Sequence, residues 1–116
     1  MNFSKVLSVF MVFLASFFSH SVMAMDFSFT KVADKTYAYI GPLTNRTPEN
    51  LGLNNNIGLV ITDKGVVLID SGAGIPSAKA LESAVAKVTD KKVVAVINTG
   101  SQDHRWLGNG YFVEKG

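Results

Sequence analysis

The sequence predicts a mixed α/β fold in which β-hairpins are followed by strand, helix, strand and helix. Three observations support this prediction. Short runs of β-branched and aromatic residues alternate with turns up to residue 70. An amphipathic segment then joins two all-apolar runs, Val66–Ile69 and Val93–Ile97. A second segment compatible with a helix closes the chain over residues 103–115.

The first 24 residues are predicted to be a secretory signal peptide. Lys5 gives a positive start, residues 6–18 are a continuous run of apolar and small residues, and Val22-Met23-Ala24 fits cleavage after Ala24. An uncleaved membrane anchor is the alternative, but this run is shorter than the roughly 20 residues that a spanning helix needs. We therefore expect an exported protein, periplasmic or secreted, that meets the membrane only through this segment. The remaining residues, 25–116, are expected to form one partial domain.

Charge and cysteine content exclude several classes of protein. Removing Lys5 lowers the basic residues from 11 to 10 against nine acids, which leaves a net charge of +1. Lys91-Lys92 is the only basic pair, so a nucleic-acid partner is not expected. The chain has no cysteine, which rules out disulfides and thiolate metal sites and leaves stability to the apolar core.

The predicted hairpins come first along the chain. Residues 27–30 and 36–40 are expected to be strands joined by a turn, and 43–54 a polar loop. Two further strands, residues 56–62 and 66–70, flank Asp63-Lys64-Gly65, a strong hairpin signal. Because Val66–Ile69 is apolar throughout, we expect this strand to be buried on both faces.

The strand–helix–strand unit follows. A helix is predicted from Pro76 or Ser77 to Val88, since apolar residues recur there at steps of three and four. The flanking strands are then expected to be parallel neighbours, with the loops 70–74 and 98–103 opening on the same edge of the sheet, where sites are commonly built.

The closing segment, 103–115, is expected to be one helix. Asp103 would serve as its N-cap, with Trp106, Gly110 and Val113 on one face. The two glycines in it weaken the helical propensity.

Two common site types lack their motifs. Gly72-Ala73-Gly74 lacks the third glycine of a dinucleotide-binding loop and the downstream acid, so a tight turn is the simpler explanation. No G-x-S-x-G elbow surrounds Ser71 or Ser101.

A zinc site needs three or four ligands, and Asp70, Asp103 and His104 make at most an incomplete set. Taken alone, an Asp-His pair that opens a helix is more often a cap and a surface residue.

The order of features resembles the N-terminal part of the metallo-β-lactamase superfamily. The stretches that carry the resemblance are NNIGLVITDKGVVLIDSGAG, residues 55–74, and VVAVINTGSQDHRWLGNGYF, residues 93–112. Asp70-Ser71-Gly72, Asn98-Thr99 and Gly108-Asn109 match the family pattern, in which a metal loop Asn-Thr-His-x-His-x-Asp-His precedes x-x-Gly-Asn. The resemblance implies the N-terminal half of an αββα sandwich, zinc as cofactor and hydrolysis of a small-molecule substrate.

The metal loop departs from the family pattern in either of two alignments. Without gaps, Gly100 and Gln102 stand at the first two histidine ligands, His104 at the aspartate and Arg105 at the third histidine. A shift by one residue instead matches Asp103 and His104 to the Asp-His pair, at the expense of a deletion and an insertion. The ungapped alignment is preferred because both flanks then fit, and it places a fixed positive charge where a cation would sit, which suits an anion or carboxylate better.

Three functions stay open at this point. In a hydrolase-like protein, Asp103 and His104 would be the catalytic residues and the only metal ligands, acting on a nearby water. Gln102 and Arg105 would bind the substrate, with Arg105 as an oxyanion or carboxylate clamp, and Asp70 would support the site. The alternatives are a non-catalytic exported binding domain that uses the loop 102–106, and an inactive fragment. Because the chain stops just after an apolar stretch, we expect that it is truncated.

Overall fold

A computed structural model describes residues 26–116, and the predicted signal peptide lies outside the described residues. The strands are β1 Thr30–Ala33, β2 Thr36–Tyr39, β3 Ile57–Ile61, β4 Val66–Ile69 and β5 Val93–Ile97. The helices are α1 Ile75–Ala86, α2 Asp103–Trp106 and α3 Asn109–Lys115. Over residues 26–116, no helix has the length and hydrophobicity that a membrane crossing requires.

The five strands form one mixed sheet in the order β1-β2-β3-β4-β5. Neighbours from β1 to β4 are antiparallel, whereas β4 and β5 are parallel and α1 connects them. The predicted mixed α/β fold, with its helical crossover between two parallel strands, is confirmed. Ile69 lies opposite Ile97, so the loops that follow both strands open on one edge of the sheet.

The first predicted strand was placed three residues too early. β1 begins at Thr30, and Phe27 lies before it, 3% exposed, with its ring stacked edge-on against Tyr39 at 5.1 Å between centroids. Phe27 therefore contributes to the apolar core and takes no part in the pairing of β1 with β2. Lys35 makes the turn to β2 with a φ of 53°.

Helix α1 covers one face of the sheet. It starts at Ile75, with Pro76 in the first turn where a missing N–H costs nothing, and it ends at Ala86, two residues before the predicted end. Its buried residues share one side of the helix, as the periodicity predicted; they are Ser77, Ala78, Leu81, Ala84 and Val85. The apolar ones among them pack with Leu59 and Leu68 of the sheet and with Phe112 of α3 in a single core.

The opposite face of the sheet carries apolar residues without such cover. Cross-strand partners point to the same side of a sheet, which places eight residues of β2 to β5 together on what we call the open face. They are Thr36, Ala38, Gly58, Val60, Val67, Ile69, Ala95 and Ile97. The prediction that β4 is buried on both faces was wrong for the described residues: Val66 and Leu68 are fully buried, but Val67 and Ile69 are only half-buried. The helices α1 and α3 pack on one side only.

The chain beyond β5 forms two short helices where a single one was predicted. The helix breaks after Trp106, and α3 starts at Asn109. Phe112 is the buried residue of α3, whereas Trp106 and Val113, which the prediction placed on one face with Gly110, are 44% and 79% exposed. The helix breaks here because the N–H of Gly108 donates to the carbonyl of Gly72 at 3.1 Å and not within the helix, and the absence of a Cβ lets Gly108 lie against the carbonyl of Ser71.

Candidate functional site

The candidate site lies where β4 and β5 end side by side. The backbone N–H of Asp70 donates to the carbonyl of Ile97 at 2.8 Å, which continues the parallel pairing for one residue past the strands. The N–H of Ser71 donates to the carbonyl of Arg105 at 2.9 Å. The loops 70–74 and 98–105 are therefore joined backbone to backbone at the sheet edge, as the predicted topology requires.

Asp70 is the buried acid at the centre of this edge. The residue is 1% exposed and has a φ of 68°, a left-handed conformation that aspartate tolerates better than most side chains. Its Oδ1 accepts the backbone N–H of Thr99 at 2.7 Å, and its Oδ2 accepts the Thr99 hydroxyl at 2.7 Å. A buried carboxylate needs such partners, and here they fix the start of the loop after β5.

Arg105 supplies the countercharge for Asp70. Its Nη1 donates to Asp70 Oδ2 at 3.0 Å and to the Thr99 hydroxyl at 2.7 Å, while its Nε donates to Gln102 Oε1 at 2.6 Å. The Arg105 side chain is 28% exposed and that of Asp70 is 2% exposed, so the pair is partly shielded from water. Gly100 allows the close approach, since a Cβ there would lie 3.2 Å from Arg105 Cδ.

Asp103 and His104 lie in the one-turn helix α2. Gln102 occupies the N-cap position and Asp103 is the first helical residue, so the predicted N-cap was one residue too late. Asp103 Oδ1 accepts the N–H of His104 at 2.8 Å and a hydrogen bond from Arg46, which comes from the loop before β3. The hydrogen bond from Arg46 is the main reason that the pKa of Asp103 lies below its usual value.

His104 is oriented toward Asp103 but does not bond to it. The ring Nδ1 lies 3.4 Å from Asp103 Oδ1, and within the described residues it is buried without a hydrogen-bond partner. The side chain is 17% exposed. Asp103 and His104 thus lie next to each other, whereas Asp70 is hydrogen-bonded separately to Thr99 and Arg105.

The donor set of this loop does not fit a zinc ion. In the ungapped alignment, the four ligand positions hold a glycine, an amide, an imidazole and a guanidinium, at Gly100, Gln102, His104 and Arg105. Zinc binds imidazole, thiolate and carboxylate groups, and a guanidinium is a fixed cation that cannot ligate. Across residues 26–116, no group of three or more histidine, cysteine or acidic side chains is arranged to hold a metal.

Sequence reasoning missed two sets of residues that shape the site. Arg46 contacts Asp103 from 57 positions away, which no spacing in the sequence signals. Ser71, Asn98 and Asn109 form a second set: Ser71 Oγ donates to Asn109 Oδ1 at 2.6 Å, and Asn109 Nδ2 donates to Asn98 Oδ1 at 2.7 Å. The family-like pairs Asn98-Thr99 and Gly108-Asn109 were the available signal for that set.

Comparison with known proteins identifies the class of this fold. A sequence model of the metallo-beta-lactamase superfamily matches residues 51–114, more than half of the chain. The chain therefore belongs to the metallo-β-lactamase superfamily, as the resemblance implied.

One solved structure with a similar fold is the NDM_FIM-1 like metallo-beta-lactamase from Erythrobacter litoralis in its mono-zinc form. The match has a TM-score of 0.59 and 16% sequence identity, and it covers 79% of this chain and 42% of that chain. The similarity shows the fold alone, and this chain spans less than half of the length of that protein. Zinc is thus a cofactor at the level of the family.

Proposed function

We propose that this chain is a metal-independent member of the superfamily that binds a small molecule at the edge formed by β4 and β5. The observation that supports this proposal is the guanidinium of Arg105. Its Nη1 and Nε donate three hydrogen bonds, one to Asp70 in the loop after β4 and two to Thr99 and Gln102 in its own loop. A side-chain cation thereby holds together a loop that in the family pattern would be held by a metal, and it needs no bound ion.

A carboxylate or another small anion is the ligand class that this arrangement favours. Arg105 has five N–H donors, and three of them are used by Asp70, Thr99 and Gln102. Within the described residues no hydrogen bond involves its Nη2, which leaves two charge-assisted N–H donors for an anion. Because Asp70 offsets the charge, recognition would depend on these directed hydrogen bonds more than on net charge.

Hydrolysis through His104 is the second candidate. The buried Nδ1 of His104, 3.4 Å from Asp103 Oδ1, supports it, because a carboxylate beside one ring nitrogen can orient an imidazole whose other nitrogen acts as a general base. Asp103 would then orient the ring, and His104 would take a proton from a water molecule. An exported location agrees with either role and stays a prediction.

Metal binding separates the metal-independent proposal from a zinc enzyme. The full chain is incubated with zinc, the free ion is removed, and bound metal is measured per chain. We expect far less than one zinc per wild-type chain. The matched variant Gly100→His, Gln102→His, Arg105→His restores three imidazoles and should bind more zinc than the wild type. A stoichiometric zinc on the wild-type chain would overturn the proposal.

Anion binding is tested with acetate and inorganic phosphate as probes. Amide chemical shifts of residues 99–105 should change on titration of the wild-type chain, and the change should be lost in Arg105→Gln. The control is Lys79→Gln, which removes a cation from α1 and should leave the response intact. An unresponsive wild-type loop, or a response that survives in Arg105→Gln, would rule out this ligand class.

A further inference from the structure

The hydroxyl of Thr99 belongs to a closed set of three hydrogen bonds at the edge of the sheet. Thr99 Oγ1 lies 2.7 Å from Asp70 Oδ2 and 2.7 Å from Arg105 Nη1, and Nη1 lies 3.0 Å from the same Oδ2. An ionised carboxylate only accepts hydrogen bonds, and a guanidinium only donates them. The Thr99 hydroxyl therefore donates its proton to Asp70 and accepts from Arg105 through a lone pair.

Burial separates the carboxylate from the hydroxyl. Asp70 is 1% exposed, whereas Thr99 is an exposed residue. The other carboxylate oxygen, Oδ1, accepts the backbone N–H of Thr99 at 2.7 Å, which fixes the carboxylate relative to the hydroxyl. A nucleophile within hydrogen-bond reach of a base, with the base held by a further contact, is the arrangement that activates an alcohol.

The other serine and threonine hydroxyls of residues 26–116 lack this arrangement. Where they donate a hydrogen bond, the acceptor is a backbone carbonyl or a side-chain amide oxygen. Ser71, which follows Asp70 in the loop after β4, is also fully buried. Within this part of the chain, Thr99 is thus the residue that combines an exposed aliphatic hydroxyl with a carboxylate acceptor.

We propose that Thr99 is a nucleophile that accepts an acyl group from small esters with a good leaving group. Its Oγ1 attacks the carbonyl carbon of the ester while the hydroxyl proton passes to Asp70 Oδ2. The bond from this carbon to the leaving oxygen then breaks, that oxygen takes the proton from Asp70, and the acyl group remains on Thr99 as an ester. Water attacks this ester in the same way, which releases a carboxylic acid and restores the Thr99 hydroxyl.

Arg105 stabilises the charges that develop in this step. Its Nη1 contacts the oxygen that loses its proton. Its Nη2 has no hydrogen bond within the described residues, so two N–H donors remain for the oxyanion that forms on the ester carbonyl. Acyl transfer to Thr99 does not depend on the binding of a free carboxylate or phosphate, so this proposal and the proposed function succeed or fail separately.

The test uses the full chain with p-nitrophenyl acetate as the acyl donor. Trypsin cleavage after Lys92 and Arg105 releases residues 93–105, a peptide that contains Thr99 and Ser101 but no lysine, so acetylated lysines do not interfere. Fragmentation in a mass spectrometer locates the acetyl group, which we expect on the Thr99 side chain. Hydroxylamine should remove it, because hydroxylamine cleaves esters and leaves ordinary amides intact.

Ser101 is the internal control, since it is an exposed hydroxyl in the same peptide. In the folded wild-type chain, Thr99 should be acetylated about 100-fold faster than Ser101, because a positioned general base contributes at least this factor. Unfolding the chain in urea should abolish the difference. This comparison decides the question without any substitution. A peptide that stays unmodified, or equal acetylation of the two hydroxyls in the folded chain, would overturn the proposal.

Three variants test the roles of the individual groups. Thr99→Ser keeps a hydroxyl beside the carboxylate and should still be acetylated at residue 99. Asp70→Asn removes the base and should slow acetylation of Thr99 about 100-fold. Ser101→Ala, the matched control in the same loop, should react at Thr99 as fast as the wild type. Circular dichroism spectra establish that each variant is folded, and a folded Asp70→Asn that reacts at the wild-type rate would contradict the proposal.

Discussion

Arg105 occupies a metal-ligand position of the family pattern and is also the ion-pair partner of Asp70. The alignment placed it at a ligand position and Asp70 beside the site, and the structure joins the two by an ion pair of 3.0 Å. Removing one partner of such a pair leaves the other charge buried and uncompensated, which costs more than the pair itself contributes. The local order of the loop therefore depends on this one side chain.

Arg105→Ala should lower the free energy of unfolding by about 2–3 kcal/mol, because the Asp70 carboxylate loses its countercharge. Arg105→Lys should fall between this variant and the wild type, since lysine keeps the charge but cannot reach Asp70, Thr99 and Gln102 with one planar fork. Urea denaturation measures both values. An Arg105→Ala chain as stable as the wild type would show that the pair is not stabilising.

Arg46 controls the ionisation of Asp103. The folded state holds the pKa of Asp103 below the unfolded value, mainly through the hydrogen bond from Arg46. This stabilisation is therefore fully present above the unfolded pKa of about 3.9 and is lost as the pH falls through the lower folded pKa. Arg46→Ala should raise the Asp103 pKa and weaken the acid dependence of stability.

A carboxyl NMR titration measures the Asp103 shift. Glu82 is the internal control, because its pKa is lowered mainly by a hydrogen bond from Tyr111, remote in sequence from Arg46. Its titration should be the same in the wild type and in Arg46→Ala. If Asp103 titrates unchanged in the variant, another group lowers its pKa.

At the scale of the elements, Gly108 determines how the last two helices meet the sheet. Gly108→Ala should destabilise the fold by about 1–3 kcal/mol, since its Cβ would overlap the Ser71 carbonyl, a backbone atom that cannot rotate away. Gly110→Ala is the matched control: nothing lies within 4 Å of its Cβ, and alanine favours a helix by about 1 kcal/mol. Thermal unfolding should shift in opposite directions, and a shift in the same direction would contradict this reason for the break.

The same glycine explains why the closing segment was predicted incorrectly. Helical spacing over 103–115 is compatible with one continuous helix, and no local residue demands a break. The break follows from contact with Ser71, 37 positions earlier, as the N–H of Gly108 also donates to Gly72 at 3.1 Å. Strands β3, β4 and β5 were predictable within a residue because their turns and apolar runs are local signals.

At the scale of the whole molecule, the sheet should differ in stability from its centre to its edge. β4 has strand neighbours on both sides and two fully buried residues, whereas all four residues of β1 are exposed. Native-state hydrogen exchange should therefore be slowest for the amides of β3 and β4 and fast for those of β1. Equal protection in β1 and β4 would mean that the sheet opens only as one unit.

The fold class was predictable because alternation, turns and amphipathic spacing are local in sequence. The site was predictable only in outline: parallel strands bring Asp70 and the loop 98–105 together, but nothing in the spacing reveals that Arg46 reaches Asp103. The open face could not be foreseen either, because an apolar strand has the same sequence whether one or both of its faces are covered.

The extra residue in β5 affects how this region tolerates changes in length. Val66 pairs with Val93 and Val67 with Ala95, so Val94 has no partner of its own in β4, and its side chain lies over Gly65. Deleting Val94 would make the ladder regular and would leave Val96, Ile97 and everything after them in place. A deletion after Ile97 has no unpaired residue to absorb it and would pull Thr99 away from Asp70. Shortened relatives should therefore have their gaps inside the strand.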